Sequence, residues 1–107
     1  LASRKRWIAF FEKPKGQLLI DAGAATALVN RNSSLLAKGV VSCSGIFSEG
    51  SVVTIHDPDN KIIARGIVSF GKADLEAVIG KDTDQIRAIH PRKTRCEVVH
   101  KDSLVLI

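Results

Sequence analysis

The sequence predicts a mixed α/β (α+β) domain, a small sheet of short strands curled towards a barrel and carrying two or three short helices. Three observations predict it. Short β-branched or aliphatic runs recur along the chain with turn residues between them. Only a few stretches carry helical spacing. The 107 residues, 45% hydrophobic and 25% charged, suit one autonomous core and lie far from the composition of disorder.

The elements follow in order. Lys13-Pro14-Lys15-Gly16 is a break, and Gln17 to Ile20 is a first apolar strand. Asp21 is placed to cap a helix over Ala22 to Asn30, with Ala24, Ala27, Leu28 and Arg31 at helical spacing. Its small residues let a helix lie close to a sheet. Asn30, Asn32, Ser33 and Ser34 form a turn-rich exit before Leu35 to Gly39. Val40 to Ser44 is a short strand, Gly45 to Gly50 supplies turn residues, and Val52 to His56 alternates as a half-buried strand should.

Asp57-Pro58-Asp59-Asn60 then reverses the chain. Lys61 to Phe70 is expected to return as one long strand with Ile62, Ala64, Gly66, Val68 and Phe70 facing the core. Ala73 to Ile79 reads as a helix closed by Gly80. Thr83 is expected to cap a further short helix that Pro91 ends. Glu97 to His100 and Ser103 to Ile107 are expected strands parted by Lys101-Asp102. No internal repeat or low-complexity segment interrupts this order.

Motifs for catalysis are weak. Gly66 to Ala73 spells most of a phosphate-binding loop. However, Ile67, Val68 and Phe70 are strand formers, and Ala73 lacks the hydroxyl that would hold magnesium, so the stretch reads as a strand running into a helix. Cys43, His56, His90, Cys96 and His100 show none of the close pairing of a structural zinc site, and no metal site is expected. No strained nucleophile turn occurs, and no catalytic residue is assigned. Asp57, Asp59 and Asn60 lack the downstream glutamate of a calcium loop.

Charge is the remaining signal. The net +5 is concentrated in two segments. Arg4, Lys5, Arg6, Lys13 and Lys15 stand against Glu12, and Arg87, Arg92, Lys93, Arg95 and Lys101 against Glu97. Whether they merge into one patch is a question for the fold. Aromatics are sparse, with Trp7, Phe10, Phe11, Phe47 and Phe70 the whole set, which leaves little for base stacking. No run is long enough to span a membrane, no segment resembles a signal peptide, and two isolated cysteines suit a reducing cytoplasm. The missing Met and the opening Leu1 suggest a piece of a longer chain.

The ordered segments Gly16 to Ala24, Ser34-Leu35-Leu36-Ala37-Lys38-Gly39-Val40, Gly45-Ile46-Phe47 with Gly50, Ile63-Ala64-Arg65-Gly66 and Val99 to Leu106 resemble the carboxy-terminal PUA domains of bacterial glutamate 5-kinases. Arg4 to Ile8 resembles the link from the kinase domain. The likeness covers nearly the whole chain, departing from the common pattern at Ala37, where many relatives carry Pro, and in the basic run Arg92 to Arg95. It implies a PUA-like pseudo-barrel over residues 16–107 after a basic lead-in over 1–15.

It further implies a parent that phosphorylates L-glutamate with ATP and magnesium, the first step of proline biosynthesis, through a separate amino-acid kinase domain. This chain would then be a non-catalytic accessory or regulatory domain without a cofactor of its own, partnered by that kinase domain. PUA domains elsewhere bind RNA, so the alternative is an RNA-binding module whose contacts would be Arg4, Lys5, Arg6, Lys38, Gly39, Arg92, Lys93 and Arg95.

Overall fold

A computed structural model describes Lys5, Trp7, Ile8 and residues 12–107. The chain runs β1 (Gly16–Ile20), α1 (Ala22–Arg31), β2 (Leu35–Leu36), a 3-10 turn (Ala37–Gly39), β3 (Val40–Gly45), β4 (Val52–His56) and β5 (Ile62–Ile67). It continues through α2 (Lys72–Val78), α3 (Thr83–Ile89), β6 (Glu97–Val99), a second 3-10 turn (Lys101–Ser103) and β7 (Leu104–Leu106). Five strands form one sheet in the order β3-β1-β4-β5-β7, while β2 and β6 pair separately. Only the β1–β4 pair within the larger sheet is parallel. The mixed α/β architecture expected from sequence is what forms.

Local signals fix most boundaries. The Asp21 carboxylate accepts the Ala24 N–H at 2.7 Å and starts α1, and Asn32, with φ 51°, ends it in the left-handed region. The Asp57 carboxylate accepts from the N–H groups of Asp59 and Lys61, and Asn60, with φ 64°, completes the reversal between β4 and β5. The cap of α3 corrects the expectation for Thr83. Asp82 precedes the helix and accepts from Gln85 N at 2.8 Å, while the Gln85 side chain accepts from Asp82 N at 2.9 Å. This reciprocal pair satisfies two end donors where one threonine hydroxyl would satisfy one.

The main core lies between the sheet and the helices, with Leu18, Ile20, Val53, Ile55, Ala64, Val68 and Leu104 from the sheet side against Leu28, Leu75 and Ile86. The long strand stops at Ile67, although Val68 keeps backbone bonds to Gly50 and Ser51 and Ser69 N donates to Val98 O. Four of the five residues expected inward are buried. Ile62 is the exception, 43% exposed beyond the irregular pairing at Ile55 and His56.

β4 does not alternate as a half-buried strand should. Val52, Val53, Ile55 and His56 are all buried: on the opposite face a second small cluster of Ile8, Val52 and Val105, with Ile67 against it, covers Val52, and His56 is held by Thr54 and the Asn60 carbonyl. β6 and β7, adjacent in sequence, turn apart at the second 3-10 turn and join different sheets.

Candidate ligand groove and basic segments

The turn carrying Lys38 is clamped from two sides. Asp21 N donates to Gly39 O at 2.9 Å, and Gly80 N donates to Ala37 O at 2.9 Å. Gly39 lies so close to α1 that a Cβ there would sit 2.5 Å from the Ala24 Cβ. Only glycine permits that approach, and the small residues of α1 serve it. Between α1 and this turn runs a groove of about 340 Å³, lined by Asp21, Ala24, Ala27, Leu36, Lys38 and Gly39 among others. Past Lys38 it meets a recess of about 80 Å³ bounded by Leu36, Lys81, Asp82, Ile86 and Cys96. The groove therefore carries mixed charge, with Asp21 and Asp82 set against Lys38 and Lys81.

The residues singled out from sequence are only partly brought together. Lys38 and Gly39 form the groove's rim, and Arg95 directly precedes Cys96, which lines the recess. Arg92 and Arg95 are exposed. Lys93 is turned inward: its ammonium lies 4.3 Å from the Phe70 ring centroid and 3.4 Å from Glu49 Oε1, and it also donates to Ser69 O. With a side chain 18% exposed, it ties its segment to the loop before β4. Arg4 and Arg6 lie outside the described residues. Lys5 stands one helical turn from Ile8, whose cluster is on the face of the sheet away from the groove. Among the described residues, Lys5 is thus near the outer-face cluster while Lys93 packs on Phe70 of the main core, so the two are not brought together.

Other candidate chemistry resolves into structure. The stretch Gly66 to Ala73 runs from the end of β5 into α2, with Val68 and Phe70 buried. His56 is buried, its Nε2 2.9 Å from Thr54 Oγ1 and its Nδ1 3.4 Å from Asn60 O. His100 caps the second 3-10 turn by accepting Asp102 N at 3.1 Å. Among the described residues, no three His, Cys, Asp or Glu side chains assemble as a metal-ligand set. Cys43 has its thiol pKa raised by burial and by Glu76, with Lys72 opposing.

Sequence reasoning missed Lys81, which lines the recess beside the groove, next to Gly80, whose N–H ties the α2–α3 junction to Ala37 O. A left-handed glycine between two helices, φ 80° here, was the available signal for such a junction.

This architecture, with a helix and glycine turn bordering a groove on a small mixed sheet, defines the class, and the chain belongs to the PUA domain family, whose model matches residues 16–90. Among curated proteins it is 37% identical over 106 residues to the glutamate 5-kinase of Syntrophotalea carbinolica and 41% identical over 107 residues to that of Vibrio campbellii. These alignments take in 99% and 100% of this chain but 28% of either kinase. Among solved structures, a PUA domain from Aeropyrum pernix K1, determined as a tartrate complex, superposes with a TM-score of 0.61 at 28% identity, covering 80% of this chain and 41% of that one.

Proposed function

We propose that this chain is the carboxy-terminal PUA domain of a glutamate 5-kinase and acts there as a non-catalytic accessory domain that stabilises or tunes the kinase domain. The observation that carries the reading is the end-to-end similarity to a segment making up 28% of the glutamate 5-kinases. ATP, magnesium and L-glutamate would be bound by the kinase domain, in the cytoplasm, and the groove beside Lys38 would take no part in phosphoryl transfer.

The test compares three samples: this chain, the full-length kinase, and the kinase lacking this domain. With ATP, magnesium and glutamate the isolated chain should release no ADP. The truncated kinase should retain turnover but differ from the full-length enzyme in thermal stability, KM or response to proline. Turnover by the chain alone, or a truncated enzyme indistinguishable in all three properties, would sink the proposal.

RNA binding is a second reading, favoured by the exposed Lys38 on a rigid glycine rim with Arg95 close by. The mixed charge of the groove and the inward Lys93 weigh against strong affinity. Under this reading binding should be weak, with a log–log salt slope of about −0.7 per neutralised phosphate on a single strand. Replacing Arg92 and Arg95 with Ser should flatten it by roughly 1.4, and replacing Lys93 as well should add little. An unchanged slope removes these residues as contacts.

A further inference from the structure

Among the described residues, the outer face of the five-stranded sheet, opposite the main core, is covered by a hydrophobic cluster at its β7 end. Register places Ser44, Gln17, Thr54, Arg65 and Val105 in one row across β3, β1, β4, β5 and β7, and Ser42, Leu19 and His56 in the next. Ile8 covers the β7 end by packing with Val105 and Val52. Along β1 and β3 the face stays open as a trough of two adjoining hollows, about 520 and 180 Å³, which share Gln17 and Ser44.

The chemistry of this trough differs from that of the groove. Lys13 and Lys15 stand at one end, and Gln17, Ser44 and Ser42 follow along the strands. No carboxylate is among the residues lining it. Among the described residues, the side chains of Lys13, Lys15, Gln17, Ser42 and Ser44 have no hydrogen-bond or ion-pair partner. Thr54 and His56, bonded to each other, form a fixed floor.

The cationic end is also rigid. Gly45 has φ 95°, and a Cβ on it would lie 2.6 Å from Lys15 O and 2.7 Å from Gly16 Cα, so β1 and β3 meet backbone to backbone. Lys15 N is held by Val52 O at 2.8 Å. The two ammonium groups at this end attract an anion, and amide and hydroxyl groups beyond them can exchange hydrogen bonds with a hydroxylated body.

We propose that the trough binds a small phosphorylated polyhydroxy compound of the sugar-phosphate class, its phosphate at Lys13 and Lys15 and its hydroxyls on Gln17, Ser42 and Ser44. A nucleic-acid strand carries a charge on every residue and is matched by cations spaced along its path. Among the residues lining the trough the cations are Lys13 and Lys15, both at one end, which matches a ligand with a single anionic head. This assignment stands whether or not the chain serves a kinase.

The experiment is a titration of the isotopically labelled chain, followed by amide NMR shifts at low salt, with ribose 5-phosphate, ribose, inorganic phosphate and a single-stranded oligoribonucleotide. Ribose 5-phosphate should move the signals of Lys15, Gln17 and Ser44 and bind roughly tenfold or more tightly than either of its halves. The double variant Lys13→Gln, Lys15→Gln should lose about tenfold in affinity for the sugar phosphate, and Gln17→Ala with Ser44→Ala should weaken the sugar phosphate while leaving inorganic phosphate unchanged. Arg31→Gln, far from the trough on α1, should change nothing. Equal binding of inorganic phosphate and ribose 5-phosphate, shifts confined to the Lys38 groove, or tighter binding of the oligoribonucleotide along β1 would each overturn the proposal.

Discussion

The two faces of the sheet are built from the same strands and end as different surfaces. On the inner face every strand contributes buried aliphatic side chains, and three helices close over them. On the outer face Val52, Ile67 and Val105 gather under Ile8 at one end, while among the described residues polar side chains of β1 and β3 line an open trough at the other. The inner arrangement brings acid and base together at its groove because Asp21 and Asp82 are needed as helix caps. The outer trough has no helix to cap and no carboxylate in its lining. Helix termination thus decides where this basic chain can present unneutralised charge.

The largest expected effect separates a continuous core from a small satellite. Val68 is fully buried in the main cluster, so Val68→Asp places an unpaired charge there at a cost of about 3–5 kcal/mol, a large fraction of a typical domain's stability. Leu18→Ala should cost about 2–5 kcal/mol by leaving a cavity between strands and helices. Ile8→Ala should fall at the low end of that range, because its cluster has few partners and can relax. Chemical denaturation of the three variants gives the comparison. If Ile8→Ala proves as costly as Leu18→Ala, the outer cluster is as integral as the main core, and if Val68→Asp melts like the parent, the inward parity of that strand is wrong.

A smaller effect probes the groove wall. Gly39→Ala drives a methyl group into Ala24 on a turn held from both sides, and overpacking of this kind costs about 1–3 kcal/mol. Ala24→Gly should relieve that strain at its own cost of up to about 1 kcal/mol in helix propensity. The double variant should therefore lose less than the sum of the two singles, and strict additivity in a double-mutant cycle would show that the two residues do not press on each other.

How much of this was legible in the sequence depended on the range of the interaction. The cap at Asp21, the turn at Asp57 to Asn60 and the stop after Gly80 were readable because a few neighbouring residues satisfy their own backbone groups. The parallel pairing of β1 with β4 was not readable, since it depends on where the chain returns after α1 and β3. The burial of Val52 and His56 on the outer face also escaped local periodicity, because the partner that covers Val52 is Ile8, far away in sequence. Lys93 looked like its exposed neighbours Arg92 and Arg95. Only the approach of Phe70, Ser69 and Glu49 from distant segments turns it inward.

The smallest effect concerns the thiol on β3, where inner and outer faces meet at an edge strand. Cys43 is partly buried against the main core, and burial, reinforced by Glu76, holds its pKa above the ordinary thiol value while Lys72 pulls the other way. Because the thiolate is the reactive form, alkylation of folded Cys43 near pH 8 should be slower than in the unfolded chain and should accelerate as pH rises through the raised pKa. Glu76→Gln removes the repelling charge, lowers the pKa and should speed alkylation at that pH. Lys72→Gln removes the attracting charge and should slow it. Both charges sit near the surface, so each change should be a few-fold and should shrink as salt is added. Mass spectrometry of iodoacetamide-treated samples distinguishes Cys43 from the buried Cys96. Rates that move in the same direction for both variants would mean that access to the sulfur, and not its charge environment, limits the reaction.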